Sequence, residues 1–587
     1  MTGKVVRIGG ASGSWGDTPR AIPQLLAARP DYLMMDYLAE VTMSLLARAR
    51  MKNPDHGFPP DFLDYLRPWL KDIAAQGVKV VSNAGGMNPA ACKAALEIAC
   101  SVAGAPLKVA MVEGDDVLSL VDGPEAPGRL LTANAYLGAL PIAAALDAGA
   151  DIVVTGRCAD SALALGPLIH EFGWNAGDYD RLAAGSLVGH LLECGPQATG
   201  GNHTDWIDVP GWANIGYPLA ECLDDGSFVL TKPEGTGGMV TVGVAAEQAL
   251  YEIGDPAAYI LPDVIADFSG VTLEQVGVDR VAVGGARGRP APPSYKVSAT
   301  WQDGYRATAL IAIVGPDAVA KAEKIAAALL ERGRLILKER GLPGFTETHV
   351  EALGGEAAYG GLARGGASRE VLLRLVVSHL DAKALDLFAR ELGSMGLGSA
   401  PGVAGLIGGR PKPSPLVRLH TVFVDKQALP APRVTVGDDP PFEVAIPLGG
   451  APPPPSVETR LADTAPKHAL VEVPLGRLAF ARSGDKGDSA NVAIIARRPE
   501  LVETIRREVT VERMAAIFPD DVAGPIRRYE APGFHAFNFL LEEALGGGGM
   551  ASMRIDPQGK AYGQRALEMT VRVSADLLDQ QKTVQSP

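Results

Sequence analysis

A chain of 587 residues is longer than one hydrophobic core can serve, so three or four folding units are expected. With 47% apolar and 21% charged residues the composition is that of a folded globular protein and excludes an extended or disordered one. A formal charge of −14 argues against nucleic acid or an anionic membrane surface as partner, and no stretch approaches the roughly 20 apolar residues that a membrane span needs.

The first residues, Met1 to Gly10, lack the apolar core of a signal peptide and run straight into a strand at Val5–Ile8. That strand is expected to end in a glycine-rich loop over residues 9–17. Tyr32–Met35 reads as a second strand, Leu38–Arg50 as a helix, and Val78–Ser82 as a third strand running into Asn83-Ala84-Gly85-Gly86-Met87-Asn88. A helix over Pro89–Val102 follows, with proline in the first turn, where its missing N–H costs little. Asp151–Thr155 is a continuous apolar strand ending in Gly156-Arg157-Cys158-Ala159-Asp160-Ser161. Uninterrupted apolar strands alternating with helices predict a parallel sheet covered on both faces, with ligands bound beyond its carboxyl ends. The predicted class is therefore α/β for residues 1–290.

From about residue 291 to 428 the pattern changes. Strand Tyr305–Val314, helix Pro316–Arg334, strands Thr346–Ala352 and Val371–Leu380, helix Ala382–Leu392 and strand Leu416–Asp425 give the β-α-β-β-α-β order of a ferredoxin-like α+β unit. Residues 429–465, centred on four consecutive prolines, read as a semi-rigid linker. A small α+β domain is expected over 466–580. It has a strand at Leu475–Ala481, a polar loop at Arg482–Asn491 and a returning strand at Val492–Ala496. Helices follow at Leu501–Glu508 and Val511–Ile517, then Phe537–Leu545 as helix or strand, and a closing strand at Leu567–Val573.

Six segments carry candidate chemistry. In residues 9–17, Gly10, Ser12, Gly13, Trp15 and Asp17 offer backbone N–H groups and polar side chains to an anion, without matching a Walker or dinucleotide fingerprint. Asn83, Gly85 and Gly86 repeat that design at the third strand. Arg157 is placed either to clamp a carboxylate or phosphate, or to pair with Asp160. The run from Gly189 to His203 is the densest. His190, Glu193 and Cys194 bring a base, an acid and a thiol within five positions, and His203 closes a glycine turn. Lys232 and Gly237 form a further cation-and-glycine turn. The last segment places Arg482, Ser483, Asp485, Lys486, Asp488 and Asn491 together, either as an internally paired brace or as a loop reaching into the main body. The five cysteines are scattered with no C-x-x-C pair, which suggests neither a disulfide framework nor structural zinc and makes a reducing cytoplasm the expected compartment.

Taken together these segments resemble the acyclic terpene utilisation protein A family. The resemblance rests on G-G-A-S-G-x-W-G-D, N-A-G-G-M-N-P, V-T-G-R-C-A-D-S, G-H-x-x-E-C-G-x-Q-A-T-G-G, K-P-E-G-T-G-G and R-S-G-D-K-G-D-x-A-N, and spans nearly the whole chain. It implies a large N-terminal domain followed by a ferredoxin-fold-like C-terminal domain. It also implies a role in bacterial breakdown of branched acyclic compounds such as citronellol and geraniol, among acyl-CoA enzymes. It implies a pathway rather than a mechanism, and brings no catalytic residues with it.

The leading expectation is an enzyme acting on a branched acyl-CoA, with CoA present as part of the substrate and no other cofactor identified. The reaction expected is a lyase cleaving a 3-hydroxy-3-alkylglutaryl-type thioester. His190 or His203 would serve as base, and Arg157, Lys232 or loop N–H groups as enolate stabilisers. A metal-assisted version needs Asp17, Glu193, His203 and Asp485 or Asp488 to converge. The alternatives are an acyl-CoA hydratase or dehydratase with Glu193 as acid, and a non-catalytic subunit of a multienzyme acyl-CoA complex. A homo-oligomer, and association with acyl-CoA pathway enzymes, are expected partners.

Overall fold

A computed structural model describes residues 3–124, 126–450 and 470–579. The body is built on five parallel strands: β1 (Val6–Gly13), β2 (Tyr32–Asp36), β3 (Lys79–Ser82), β4 (Val109–Glu113) and β5 (Ile152–Thr155). They lie in the order β1-β2-β3-β5-β4. β2 and β5 are buried along their whole length, which is why they read as unbroken apolar runs. Separate apolar clusters cover the two faces of the sheet. Antiparallel strands extend it beyond β1, beginning with Leu219–Cys222 and Phe228–Thr231. The sheet is therefore mixed, with the parallel strands at its centre. Helix Pro89–Ala103 begins as expected. Asn88 accepts the Ala91 N–H at 3.3 Å, proline occupies the first turn, and Gly104 ends the helix at φ +65°.

The first glycine segment differs from its expected form. β1 continues to Gly13, so Gly9, Gly10 and Gly13 lie in the strand and not in a loop. Helix α1 (Tyr179–Leu192) ends against them. A Cβ on Gly10 would sit 2.5 Å from the Leu192 carbonyl oxygen, and one on Gly13 would sit 2.8 Å from the Cys194 backbone. These glycines let two backbones approach, a use that sequence alone does not separate from anion binding. A second helix, α2 (Val242–Ala249), packs beside α1.

In the middle unit, β6 (Ser294–Val314) is a strand of 21 residues, twice the expected length. Its second half pairs with β8 (Glu370–His379), and β7 (Glu347–Leu353) lies beyond β8. The fourth ferredoxin-like strand is β9 (Val403–Ile407), beside β6. Sequence reading assigned that place to Leu416–Asp425. That segment forms β10 (Ser414–Asp425), which pairs mainly with the first half of β6, on the edge opposite Leu130–Ala135. β9 is short, largely exposed and flanked by Gly402, Gly408 and Gly409, so it carries little strand signal. The segment expected to open a linker also does otherwise. β11 (Arg433–Val436) adds an antiparallel edge to β4. The four prolines lie outside the described residues.

The C-terminal module is a four-stranded antiparallel sheet in the order β12-β13-β15-β14. Its strands are β12 (Ala479–Lys486), β13 (Ser489–Ala496), β14 (Ile526–Ala531) and β15 (Ala536–Leu541). The expected loop over Arg482–Asn491 is mostly strand. Arg482 pairs with Ala493 and Lys486 with Ser489, around a two-residue turn whose Gly487 has φ +67°. Among the described residues no helix is long and apolar enough to cross a membrane.

Gly10→Ala tests the packing assignment. It is expected to cost about 1–3 kcal/mol by denaturant midpoint, because the carbonyl it meets belongs to backbone. Ligand affinity of the remaining folded protein should be unchanged; a loss of affinity at full stability would restore the anion-loop reading.

Candidate functional site

The C-terminal hairpin docks on the body through buried polar groups. Asn491 donates to the Leu250 carbonyl at 2.8 Å and accepts the Glu252 N–H at 2.9 Å. Asn538 donates to the carbonyls of Ile253 and Gly254, both at 2.6 Å. The Thr204 hydroxyl accepts the Ala481 N–H at 3.0 Å, and Arg497 holds Asp205 through two bonds of 2.6 and 2.7 Å. Both asparagines are fully buried, where unbonded amides would be costly, so the hairpin register is tightly fixed.

This docking closes a cavity of about 590 Å³. The body supplies Gln197, Gly200, Gly201, Asn202 and His203, and the C-terminal module supplies Arg482, Ser483 and Lys560. Glu247 on α2 accepts from His203 Nδ1 at 2.9 Å, from the Thr204 N–H at 3.2 Å and from the Thr204 hydroxyl. An acceptor-only carboxylate puts the proton on Nδ1 and leaves His203 Nε2, which has no partner among the described residues, able to accept. The imidazole rests on Phe480 of β12, with ring centres 5.4 Å apart.

Arg482 enters the same cavity and is 8% exposed. Its guanidinium donates to the Asn202 carbonyl at 3.2 Å and to the Gln197 side chain, and lies 4.4 Å over the Tyr251 ring. Among the described residues no carboxylate pairs with it. A buried cation without a counter-charge is costly, and an anionic ligand would supply one. Lys560 stands on the same wall, bonded to Tyr251, to Glu252 at 2.8 Å and to Asp485 at 3.1 Å.

A second polar cluster lies behind the cavity. His190 donates from Nδ1 to Glu193 at 3.0 Å and packs on Tyr259, with ring centres 5.8 Å apart. Lys486 is exposed, and its ammonium lies 4.9 Å over the Tyr259 ring. Desolvation by surrounding protein atoms opposes its charge, but Tyr259, Glu252 and Glu193 outweigh that effect and hold the ammonium above the ordinary lysine range. Burial, then Glu193 and Glu252, push the Cys194 thiol well above its usual value, which is the reverse of what a nucleophilic thiolate requires. Arg157 is buried, bonded to Asp160 at 2.9 Å and to the Leu38 carbonyl at 2.6 Å, and lies 4.1 Å over Tyr136. Burial and Asp160 raise the neighbouring Asp36 carboxyl, against the opposing pull of Arg157 and Asn83.

Of the residues picked from sequence, His203, Arg482 and Ser483 line the cavity. His190 is buried and does not, so it acts at most through Glu193. Lys232 pairs with Asp279 at 3.1 Å and donates to the Thr236 carbonyl, which makes it a turn brace and not an anion clamp. Gly237 packs on Gly211, where a Cβ would lie 2.1 Å from a carbonyl oxygen. Asp17 accepts from the Gly13 N–H and from Tyr217, Ser12 donates to the Asp36 carbonyl, and Trp15 packs in the apolar layer below. Asn83 bonds Asp36 and the Tyr37 N–H, while Gly85 and Gly86 sit against backbone oxygens. Asp488 accepts the N–H groups of Gly547 and Gly548 at 2.8 and 3.0 Å. The convergence required for a metal does not occur: no group of three His, Cys, Asp or Glu among the described residues is arranged to hold one.

Sequence reading missed Glu247, Tyr251, Lys560, Trp206 and Trp212. Glu247 left one signal, an acid inside the apolar helical run Val244–Leu250.

The model of the acyclic terpene utilisation family protein AtuA matches residues 6–435, and that of the AtuA ferredoxin-like domain matches residues 473–572. The chain belongs to the AtuA family. No curated protein and no solved structure gives a match. The second match coincides with the sheet that carries Arg482, so in this AtuA chain the cavity is completed by the ferredoxin-like domain.

Asp115 holds the Arg157 segment by accepting the Arg157 N–H and the Asn134 amide, both at 2.8 Å. Burial raises its carboxyl to about 6, only partly offset by those bonds. The folded state then binds this proton more tightly than the unfolded chain. Asp115 thus favours folding below its unfolded value, and that contribution is lost as pH rises through about 6. Between pH 4.5 and 7, urea unfolding should show wild type losing on the order of 1 kcal/mol relative to Asp115→Asn. Parallel pH profiles would contradict the assignment.

Proposed function

We propose that the chain is an enzyme of branched acyl-CoA breakdown that cleaves a 3-hydroxy-3-alkylglutaryl-type thioester in the cavity between body and ferredoxin-like domain. The observation that carries this reading is the pairing of His203 with Arg482. Glu247 orients the imidazole with Nε2 available, and a buried guanidinium lacking a carboxylate partner shares the cavity. The volume falls in the ordinary range for a small-molecule site.

In this reaction the free carboxylate of the substrate rests on Arg482, which needs a counter-charge. His203 Nε2 takes the proton of the 3-hydroxyl as base. The C3 oxygen becomes a ketone, the bond between C2 and C3 breaks, and its electron pair passes to the thioester as an enolate. Protonation of the enolate at C2 by the imidazolium yields acetyl-CoA and a 3-keto acid, and restores the neutral histidine.

The test is product mass after incubation with 3-hydroxy-3-methylglutaryl-CoA and longer 3-alkyl homologues. Acetyl-CoA plus the keto acid is expected. His203→Gln should lower the rate by about 10²–10⁴-fold, and Glu247→Gln should lower it by less, through a misoriented ring. Loss of water without cleavage would replace the lyase by a dehydratase. No turnover, together with co-purification of an acyl-CoA enzyme, would favour a non-catalytic subunit.

A further inference from the structure

Two tryptophans stand at the mouth of the cavity. Trp206 and Trp212 are each 58% exposed although both line it, and their rings meet edge to face with centres 6.1 Å apart. Large aromatic side chains left open beside a cavity are surface that a ligand can cover. They are also held in place. Asp205, next to Trp206, is fixed by the two bonds from Arg497. The turn of the K-P-E-G-T-G-G motif grips the chain on both sides of Trp212. Gly238 donates to the Pro210 carbonyl at 2.7 Å, Gly237 donates to the Asn214 carbonyl at 2.8 Å, and Gly237 packs backbone to backbone on Gly211. This gives a purpose to a motif whose lysine is tied up internally. Ile215 continues the apolar lining inward, and the buried guanidinium of Arg482 lies in the same cavity.

From this polarity we infer that the cavity selects an amphipathic anion: its carboxylate head sits on Arg482 and its hydrocarbon tail is covered by Trp206 and Trp212, which set the chain length accepted. The inference rests on the cavity being the substrate site, as proposed above, but not on the cleavage reaction.

Isothermal titration calorimetry of the full chain with citronellate, isovalerate and citronellol tests it. Wild type should bind citronellate more tightly than isovalerate. Trp212→Ala should weaken citronellate about 10-fold and isovalerate less than about 2-fold, and Trp212→Phe should recover most of the loss. Arg482→Met should weaken both acids alike and leave citronellol unchanged. Thermal melts establish that each variant is folded, and Trp206→Ala, expected to weaken citronellate more than isovalerate, keeps the test open if Trp212→Ala is not. Equal weakening of both acids by Trp212→Ala, or unchanged acid binding in Arg482→Met, overturns the inference. So does cleavage of acyl-CoA whose chain-length preference is unaltered in Trp212→Ala and Trp206→Ala. The predicted binding pattern without any cleavage product would remove the proposed reaction and leave the selectivity standing.

Discussion

The site depends on two buried amides. Asn491 and Asn538, at 0% exposure, carry the bonds that fasten the central strands of the C-terminal sheet to residues 250–254 of the body. Apolar packing tolerates sliding, whereas paired amides tolerate only one register, because any shift leaves buried polar groups unbonded. The consequence is local and chemical. With β13 fixed, its hairpin partner β12 brings Phe480 under His203 and carries the Arg482 guanidinium into the cavity. Neither lobe alone holds an imidazole and an uncompensated cation together.

Two imidazole–carboxylate pairs lie against α2, and their surroundings differ. Glu247 on α2 orients His203, which lines the cavity, while the adjacent Gln248 donates to the His190 carbonyl. His190 and Glu193 belong instead to a cluster with Lys486 and Tyr259, where charges are neutralised by neighbours. The same chemical pair therefore faces the cavity on one side of the helix and serves internal cohesion on the other. Cys194 lies within the second environment, where burial, with the carboxylates of Glu193 and Glu252, keeps it a thiol.

Much of the architecture was legible because it rests on local pattern. The apolar runs of β2, β3 and β5, the proline-started helix at Pro89 and the β-α-β-β-α-β order after residue 290 all carry their own periodicity. The segment from His190 to His203 and the Arg482 segment were legible as polar excess, and Arg482 and His203 do share a cavity. What was not legible was long-range. The glycines of residues 9–13 and 83–86 look like ligand loops, but they are thin places where another backbone passes. Lys232 and Asp488 look available, yet an ion pair with Asp279 and backbone N–H groups of residues 547–548 occupy them. Lys560 and the two tryptophans lie in unremarkable sequence and gain meaning only from the docking. The exposed strand β9 is five residues between glycine turns, too short to announce itself.

The central claim, that body and ferredoxin-like domain share one catalytic cavity, is tested most directly by a crystal structure with 3-hydroxy-3-methylglutarate bound. A carboxylate on the Arg482 guanidinium and the 3-hydroxyl within hydrogen-bond reach of His203 Nε2 is the predicted result. Density for the ligand at the carboxyl ends of β1 and β3, away from both side chains, would contradict it.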